Sequence, residues 1–185
     1  MSLNEVDWAG LLQDTVSFPP DLEIVVHSSD LASSVLQQRF FCHKLLLSAA
    51  SPVFLEMFRW IQHGEIFQMN HTNPEAFQKV INFIYHKKPV SVHNRGSGSS
   101  IGLIKLVLDV LSLAARFKMK KLVRFCESVV EDKVKLSPDN VTAVQEVLLS
   151  NPEVSEKARG NIILKYKLMI RRQLVRSCSS EEELQ

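Results

Sequence analysis

The residues best suited to chemistry in this chain are its six histidines and three cysteines. Cys42 and His43 are adjacent, a pairing that would suit a nucleophile or part of a metal site. Neighbouring side chains on a strand point to opposite faces, and one pair cannot complete a tetrahedral metal site. The other histidines follow no metal-ligand spacing. We therefore expect a buried cysteine and a histidine at a helix entry, with no bound metal.

No catalytic motif can be recognised in the sequence either. Gly96 and Gly98 lie in a serine-rich run with no lysine after it, so they do not form a phosphate-binding loop. No Ser-His-Asp set or pair of carboxylates can be nominated from the residues alone. The sequence predicts a chain that is not an enzyme and that needs no cofactor.

Two basic clusters raise the question of nucleic-acid binding. One runs from Lys118 to Arg124 and the other from Arg171 to Arg176. Neither has aromatic side chains between the cations, and the formal net charge of the whole chain is only +2. We expect solvated helix faces and no direct contact with nucleic acid.

Composition indicates an intracellular globular protein. Of the 185 residues, 45% are hydrophobic and 23% are charged, which are ordinary values for a folded domain. No charged-then-apolar leader opens the sequence, and the most apolar stretch, Ile101 to Ala115, is shorter than the roughly 20 residues that cross a bilayer. The odd number and wide spacing of the cysteines favour a reducing compartment, cytoplasmic or nuclear, away from membranes; they are Cys42, Cys126 and Cys178.

Four dipeptides mark helix starts, because each places a capping residue before a proline. Serine and asparagine side chains accept the free amide protons of a first turn, and proline at the first helical position loses no hydrogen bond. The four sites are Ser51-Pro52, Asn73-Pro74, Ser137-Pro138 and Asn151-Pro152.

The sequence predicts few strands, and these are short. Leu22 to Val26 alternates in polarity, and Phe40 to His43 is its natural antiparallel partner. Ile66 to Met69 and Val90 to Val92 are weaker strand predictions. Helices thus dominate a small sheet, which predicts the α+β class.

The stretch from Phe40 to Phe58 combines a short strand with a helical hairpin, and its residues resemble the centre of the BTB/POZ domain. Three further blocks follow the order of that family: Asp21 to Val26, Asn73 to Tyr85 and Leu108 to Leu122. Beyond them, Leu136 to Val141 resembles the start of a BACK domain. The matching positions of the central block are Phe40, His43, Lys44, Leu47, Ala50, Ser51, Phe54, Met57 and Phe58.

The resemblance implies a BTB/POZ fold, with a small, mostly antiparallel sheet flanked by helices and followed by a helical BACK-like extension. The expected divisions are an N-terminal helix at a dimer interface (residues 1–17), the BTB/POZ domain (18–134), a partial BACK-like extension (135–176) and a disordered tail (177–185). Within the domain, residues 95–100, RGSGSS, have a flexible-linker composition, which both a natural loop and an engineered replacement would explain.

The implied function is protein–protein assembly, with a substrate adaptor of a cullin-3 RING ubiquitin ligase as the first use. Many cullin-binding members carry a hydrophobic residue two positions before a glutamate. Here the glutamate is Glu65, and His63 occupies the hydrophobic position. The substrate protein stays open. The expected cullin-binding surface comprises Val53, Phe54, Met57, Phe58, Trp60, Ile61 and Glu65.

Two alternatives remain open. The chain could be the oligomerisation domain of a nuclear transcription regulator that recruits a corepressor, since Asp21 and Lys44 match positions that line a charged pocket in zinc-finger members. It could also be a BTB scaffold that binds neither cullin nor corepressor. In each use a homodimer is expected. The N-terminal helix either places Val6, Leu11 and Leu12 at the dimer interface or docks on its own domain.

Overall fold

The computed structural model describes residues 10, 18–28, 37–62, 65–86, 100–133 and 138–182. Within these ranges the chain alternates short strands and helices at first and then becomes entirely helical. The elements are β1 (Leu22–His27), β2 (Gln37–Cys42), α1 (Lys44–Ala50), α2 (Pro52–Met57), β3 (Ile66–Met69), α3 (Pro74–His86), α4 (Ser100–Arg116), α5 (Lys120–Lys133), α6 (Pro138–Ser150) and α7 (Glu156–Glu182).

The described strands form one sheet in the order β2-β1-β3. Strand β2 runs antiparallel to β1, with Leu22 opposite Cys42, whereas β3 runs parallel to β1, with Glu23 opposite Ile66. The helical hairpin α1–α2 connects β2 to β3, so that β3 again runs in the direction of β1. The α+β class is confirmed, and the described part of the sheet is mixed rather than mostly antiparallel.

An aromatic core joins the hairpin to the helices behind it. The ring centroids of Phe54 and Phe117 are 4.2 Å apart, and those of Phe54 and Phe58 are 5.3 Å apart. Phe40 of β2 packs edge-on against Phe77 of α3 at 5.0 Å. Because aromatic pairs bury large areas in defined geometry, these contacts fix the hairpin against the sheet, α3 and the turn after α4.

The turn between α4 and α5 places Lys118 in the left-handed region, with φ 53°. The amide of Met119 donates to Ala114 O at 2.8 Å, and the amide of Lys118 donates to Ala115 O at 2.9 Å. These two bonds form a Schellman motif, in which glycine is the usual left-handed residue. A lysine therefore holds a backbone conformation that glycine adopts at less cost.

Two of the predicted helix caps are confirmed by side-chain hydrogen bonds. Ser51 Oγ accepts the amide of Phe54 at 3.1 Å at the start of α2. Asn73 Oδ1 accepts the amide of Glu75 at 3.0 Å at the start of α3. Ser137 lies outside the described residues.

The fourth predicted cap, Asn151, was wrong. Asn151 Nδ2 donates to Val147 O at 2.6 Å, so this side chain caps the end of α6. Helix α7 begins four residues later than predicted, where Ser155 Oγ accepts the amide of Ala158 at 3.3 Å. The reason is a contact distant in sequence, because Glu127 of α5 accepts the amide of Ser155 at 2.6 Å and holds it at the helix start.

Helices α6 and α7 continue the core of the preceding domain. Side chains of both helices and of the segment between them belong to the same hydrophobic cluster as the sheet and α3–α5, and they are Val144, Leu148, Val154, Ala158 and Ile162. The tail from Ser177 was predicted to be disordered, but α7 extends to Glu182. No glycine or proline follows Gly160, so nothing in the sequence interrupts the helix.

Several predictions fall outside the described residues: the strand Val90 to Val92, most of the N-terminal helix with Val6, Leu11 and Leu12, and residues 95–99 of the linker. Ser100, the last residue of that linker, is the first residue of α4. In the described part of the chain, no helix has both the length and the apolar character that a membrane crossing requires.

Candidate partner-binding site

The exit of α2 presents the largest exposed aromatic side chain among the described residues. Trp60 is 81% exposed. Val53 and Met57 lie on one flank of the helix and Ile61 lies after its end, and all three are half-buried and pack against the core. At about 100° per residue, Leu55, which is 55% exposed, lies on the opposite flank. One flank of α2 therefore carries half-buried apolar side chains, and the segment that follows the helix carries an exposed tryptophan.

Phe54 and Phe58, which the sequence placed on the partner surface, belong to the core. Each is 0% exposed. Phe58 packs edge-on against Phe67 of β3, with ring centroids 5.4 Å apart, and Phe54 stacks on Phe117. Their burial leaves no side-chain surface for a partner, so the candidate surface is corrected to Val53, Met57, Trp60, Ile61 and Glu65.

The segment after α2 is held in place by hydrogen bonds. The ammonium of Lys44 donates to Ile61 O at 2.7 Å. The carboxylate of Glu65 accepts the amide of Gln62 at 2.9 Å, although the residue is exposed. His63, which occupies the family's hydrophobic position, lies outside the described residues. Ile61 is thus presented from a backbone that is anchored to α1.

Asp21 and Lys44 contact each other, but the contact joins the carboxylate of Asp21 to the backbone amide of Lys44 and not to its ammonium group. Asp21 Oδ1 accepts the amide of Lys44 at 2.7 Å, which satisfies a free donor at the start of α1. The ammonium of Lys44 points instead to Ile61 O. Both charged groups therefore have structural partners, and whether they also form a binding pocket stays a prediction.

His43 connects three segments through one chain of hydrogen bonds. Its Nε2 lies 3.0 Å from Phe18 O, and since a carbonyl oxygen only accepts, Nε2 carries the proton. Its Nδ1 then accepts from the hydroxyl of Tyr85 at 2.9 Å, and that hydroxyl accepts the His43 amide at 2.8 Å. Burial is the main cause that raises the pKa of Tyr85, which keeps the hydroxyl protonated and able to donate.

Two large exposed apolar side chains lie two residues to either side of this histidine in the sequence. Leu45 on the first turn of α1 is 77% exposed, and Phe41 on β2 is 57% exposed. Phe18, whose carbonyl His43 holds, is also exposed. Sequence reasoning did not identify Leu45 and Phe41, because a short run of consecutive apolar residues does not indicate which side chains face outwards.

The two described cysteines are poorly suited to chemistry. Burial, with a smaller contribution from the charge of Asp21, raises the pKa of the Cys42 thiol to about 12. Burial, with a smaller contribution from Glu127, raises the pKa of Cys126 to about 12. A thiol that stays protonated is a poor nucleophile and a poor metal ligand. Among the residues that the structure describes, no three His, Cys, Asp or Glu side chains are grouped to hold a metal.

The model of the BTB/POZ domain family matches residues 21–134. These residues are well over half of the chain and contain the whole described sheet and helices α1–α5. The chain therefore belongs to the BTB/POZ domain family, whose domain is a protein–protein interaction module.

Relatives of known sequence agree with this assignment. The chain is 26% identical over 145 residues to BTB/POZ and MATH domain-containing protein 4 of Arabidopsis thaliana, which covers 75% of this chain and 30% of that protein. It is 24% identical over 147 residues to Kelch-like protein 40 of Xenopus tropicalis, which covers 77% of this chain and 22% of that protein. The chain thus spans less than a third of the length of these relatives.

A solved structure, described as the BTB domain of zebrafish PATZ1, is similar with a TM-score of 0.48 and 18% sequence identity. The similarity covers 68% of this chain and 86% of that chain.

Proposed function

We propose that this chain is the assembly module of a cullin-3 substrate adaptor and that the α2 exit surface binds the cullin. The surface consists of Val53, Met57, Trp60, Ile61 and Glu65. The observation that carries the proposal is the exposure of Trp60, at 81%, beside half-buried apolar side chains. Large exposed apolar groups of this kind are what interfaces place at their centres.

The anchored backbone supports this role. Lys44 holds Ile61 O, and Glu65 accepts the Gln62 amide, so the backbone at Ile61 and Gln62 is held before a partner arrives. Preordered segments lose less conformational entropy on binding. A partner would then gain the burial of Trp60 without first having to order its backbone.

The test is calorimetric titration of the cullin-3 N-terminal region into the chain and two of its variants. Trp60→Ala removes the exposed aromatic group and should weaken binding by about 2 kcal/mol, roughly 30-fold, as for a central aromatic residue of an interface. Leu55→Ala is the matched control, because it truncates an exposed apolar side chain on the opposite flank of the same helix. It should change affinity by less than about twofold.

Equal losses for the two variants would refute the assignment of the surface. If the folded chain gives no heat with the cullin at all, the adaptor role is excluded. The nuclear-regulator and scaffold alternatives then become the leading candidates.

The same module is proposed to form a homodimer, and the surface around His43 is the candidate interface. Leu45 and Phe41 are exposed there, and a second copy would remove both from water. Light scattering should give twice the mass of one chain. Leu45→Asp should shift the mass to that of a monomer, whereas Leu149→Asp, at another exposed leucine on α6, should not. A monomeric wild-type chain would contradict the proposal.

A further inference from the structure

Helix α7 carries an unusual distribution of charge. From Lys157 to Ser180 it contains seven lysines or arginines and no aspartate or glutamate. Among the cations whose side chains the structure describes, five are exposed, including Lys167, Arg171 and Arg172. Among the described side chains, none of these three forms an ion pair. A positive surface therefore lies along the middle of α7, from Lys167 to Arg172.

The start of α7 packs on the domain. Among the α7 side chains that the structure describes, which end at Arg172, Ile162 is the last buried one. Asn161 donates to the carboxylate of Glu131 at 3.2 Å, and the ammonium of Lys165 donates to Glu131 O at the end of α5. From residue 163 to Glu182 the helix continues for about 30 Å at 1.5 Å per residue.

The helix beyond Ile162 nevertheless carries large exposed apolar side chains. Leu164 and Leu168 are 57% and 47% exposed. They are four residues apart, so they lie one above the other on one side of the helix. At about 100° per residue, Leu164 and Leu168 lie about 200° and 240° around the helix axis from Ile162, which faces the domain. The two leucines thus form a seam that points away from the domain.

Cations flank this seam on both sides. Lys167 and Arg171 lie next to Leu164 on one side, and Arg172 lies next to Leu168 on the other. A narrow apolar seam with charged flanks is the arrangement by which helices choose a helical partner. Because every flanking charge here is positive, the complementary partner is negative.

Other occupants fit this arrangement less well. A second copy of α7 would place cations against cations along the seam. A membrane surface needs one apolar face, but Ile163 and Ile170 lie on a different side from the leucine seam, with Lys167 between the two sides. Nucleic acid would neutralise the cations but would leave the leucines exposed.

We propose that the outer seam of α7, formed by Leu164 and Leu168 and flanked by Lys167, Arg171 and Arg172, binds an amphipathic helix of a partner protein whose apolar seam is flanked by glutamate or aspartate. This surface is separate from the α2 exit surface, and the inference does not depend on cullin binding.

The test uses the full chain and a fluorescent synthetic helix of about three heptads, with leucine at the seam positions and glutamate at the flanking positions. Fluorescence anisotropy should show binding at a Kd of about 10 µM or tighter. Two control peptides separate the contributions: one replaces every glutamate with lysine, and one keeps the composition but scrambles the order. Neither should bind at about 100 µM.

Variants locate the site on the chain. Arg171→Glu with Arg172→Glu, and separately Leu164→Ala with Leu168→Ala, should each weaken binding at least about tenfold. Lys120→Glu with Lys121→Glu is the matched control for charge reversal on exposed residues of α5, and it should bind like wild type. All these residues are exposed, and circular dichroism checks that each variant is folded. Trp60→Ala should leave peptide binding unchanged, which would show that the outer seam of α7 is separate from the proposed cullin surface.

The proposal is overturned if the acidic peptide does not bind, if the lysine or scrambled peptide binds equally well, or if the seam variants bind like wild type. Vesicles containing phosphatidylserine provide a further comparison. Tighter binding to these vesicles than to the acidic helix, lost in the same variants, would replace the helical partner with a membrane surface.

Discussion

Replacing Ser51 with alanine removes one hydroxyl group that joins the helical hairpin to the rest of the domain. Ser51 is 1% exposed. Its hydroxyl donates to Phe117 O at 2.6 Å and accepts the amide of Phe54 at 3.1 Å. The same oxygen therefore caps α2 and ties the hairpin to the turn after α4.

The expected loss of stability follows from these two bonds. Loss of a serine cap costs about 0.5–2 kcal/mol. A buried polar group left without its partner costs about 1–3 kcal/mol, and water cannot readily replace the hydroxyl at a buried site. Since one atom makes both bonds, the two costs overlap, and we expect the free energy of unfolding to fall by about 2–4 kcal/mol.

The assay is thermal and urea unfolding followed by circular dichroism at the helix signal. For a chain of this length, about 2–4 °C of Tm is lost per kcal/mol, so Ser51→Ala should unfold roughly 4–16 °C below wild type. Ser150→Ala is the matched control, since the Ser150 hydroxyl bonds to Glu146 O at the exposed end of α6. It should change stability by less than about 0.5 kcal/mol. If Ser51→Ala lowers the free energy of unfolding by less than about 1 kcal/mol, the proposed role of this hydroxyl in joining the hairpin to the turn after α4 is refuted.

Three further predictions concern other features of the fold. Lys118→Gly should raise the urea midpoint, with a gain of about 0.5–1 kcal/mol, because glycine adopts the φ of 53° without a steric penalty. Glu127→Ala should speed hydrogen exchange in the first turn of α7 and cost about 1.5–3 kcal/mol, because the carboxylate holds both the amide and the hydroxyl of Ser155. In the folded chain, Cys42 and Cys126 should not react with a thiol reagent at pH 8, since burial raises both pKa values to about 12.

The same thiols set a direction for stability at high pH. The unfolded chain releases these protons near pH 9, whereas the folded chain retains them until about pH 12. The free energy of unfolding should therefore fall as the pH rises from 9 towards 12. In urea unfolding, the double variant Cys42→Ser with Cys126→Ser should show a smaller fall of the free energy of unfolding with pH. An unchanged pH dependence would contradict the assignment of raised pKa values to these two thiols.

Features governed by neighbouring residues were predictable from the sequence. Ser51 and Asn73 cap their helices because a cap depends on the two or three residues that follow. Alternation identified β1, and the central block identified the hairpin of α1 and α2. The family assignment followed from several such blocks in order.

Features governed by distant contacts were not predictable. Helix α7 starts at Glu156 rather than after Asn151, because Glu127 binds Ser155 across 28 residues of sequence. The burial of Phe54 beside the exposed Trp60 depends on which side of α2 faces Phe117, 63 residues away, and periodicity along one short helix does not specify that side. The outer seam of α7 was not predicted either, because the exposure of Leu164 and Leu168 depends on which side of the helix faces the domain.

The most direct test of the central proposal is calorimetric titration of the wild-type chain with the cullin-3 N-terminal region. The account predicts saturable heat with one cullin per chain and an affinity of about 1 µM or tighter. A folded chain that gives no heat with the cullin at tens of micromolar would contradict it.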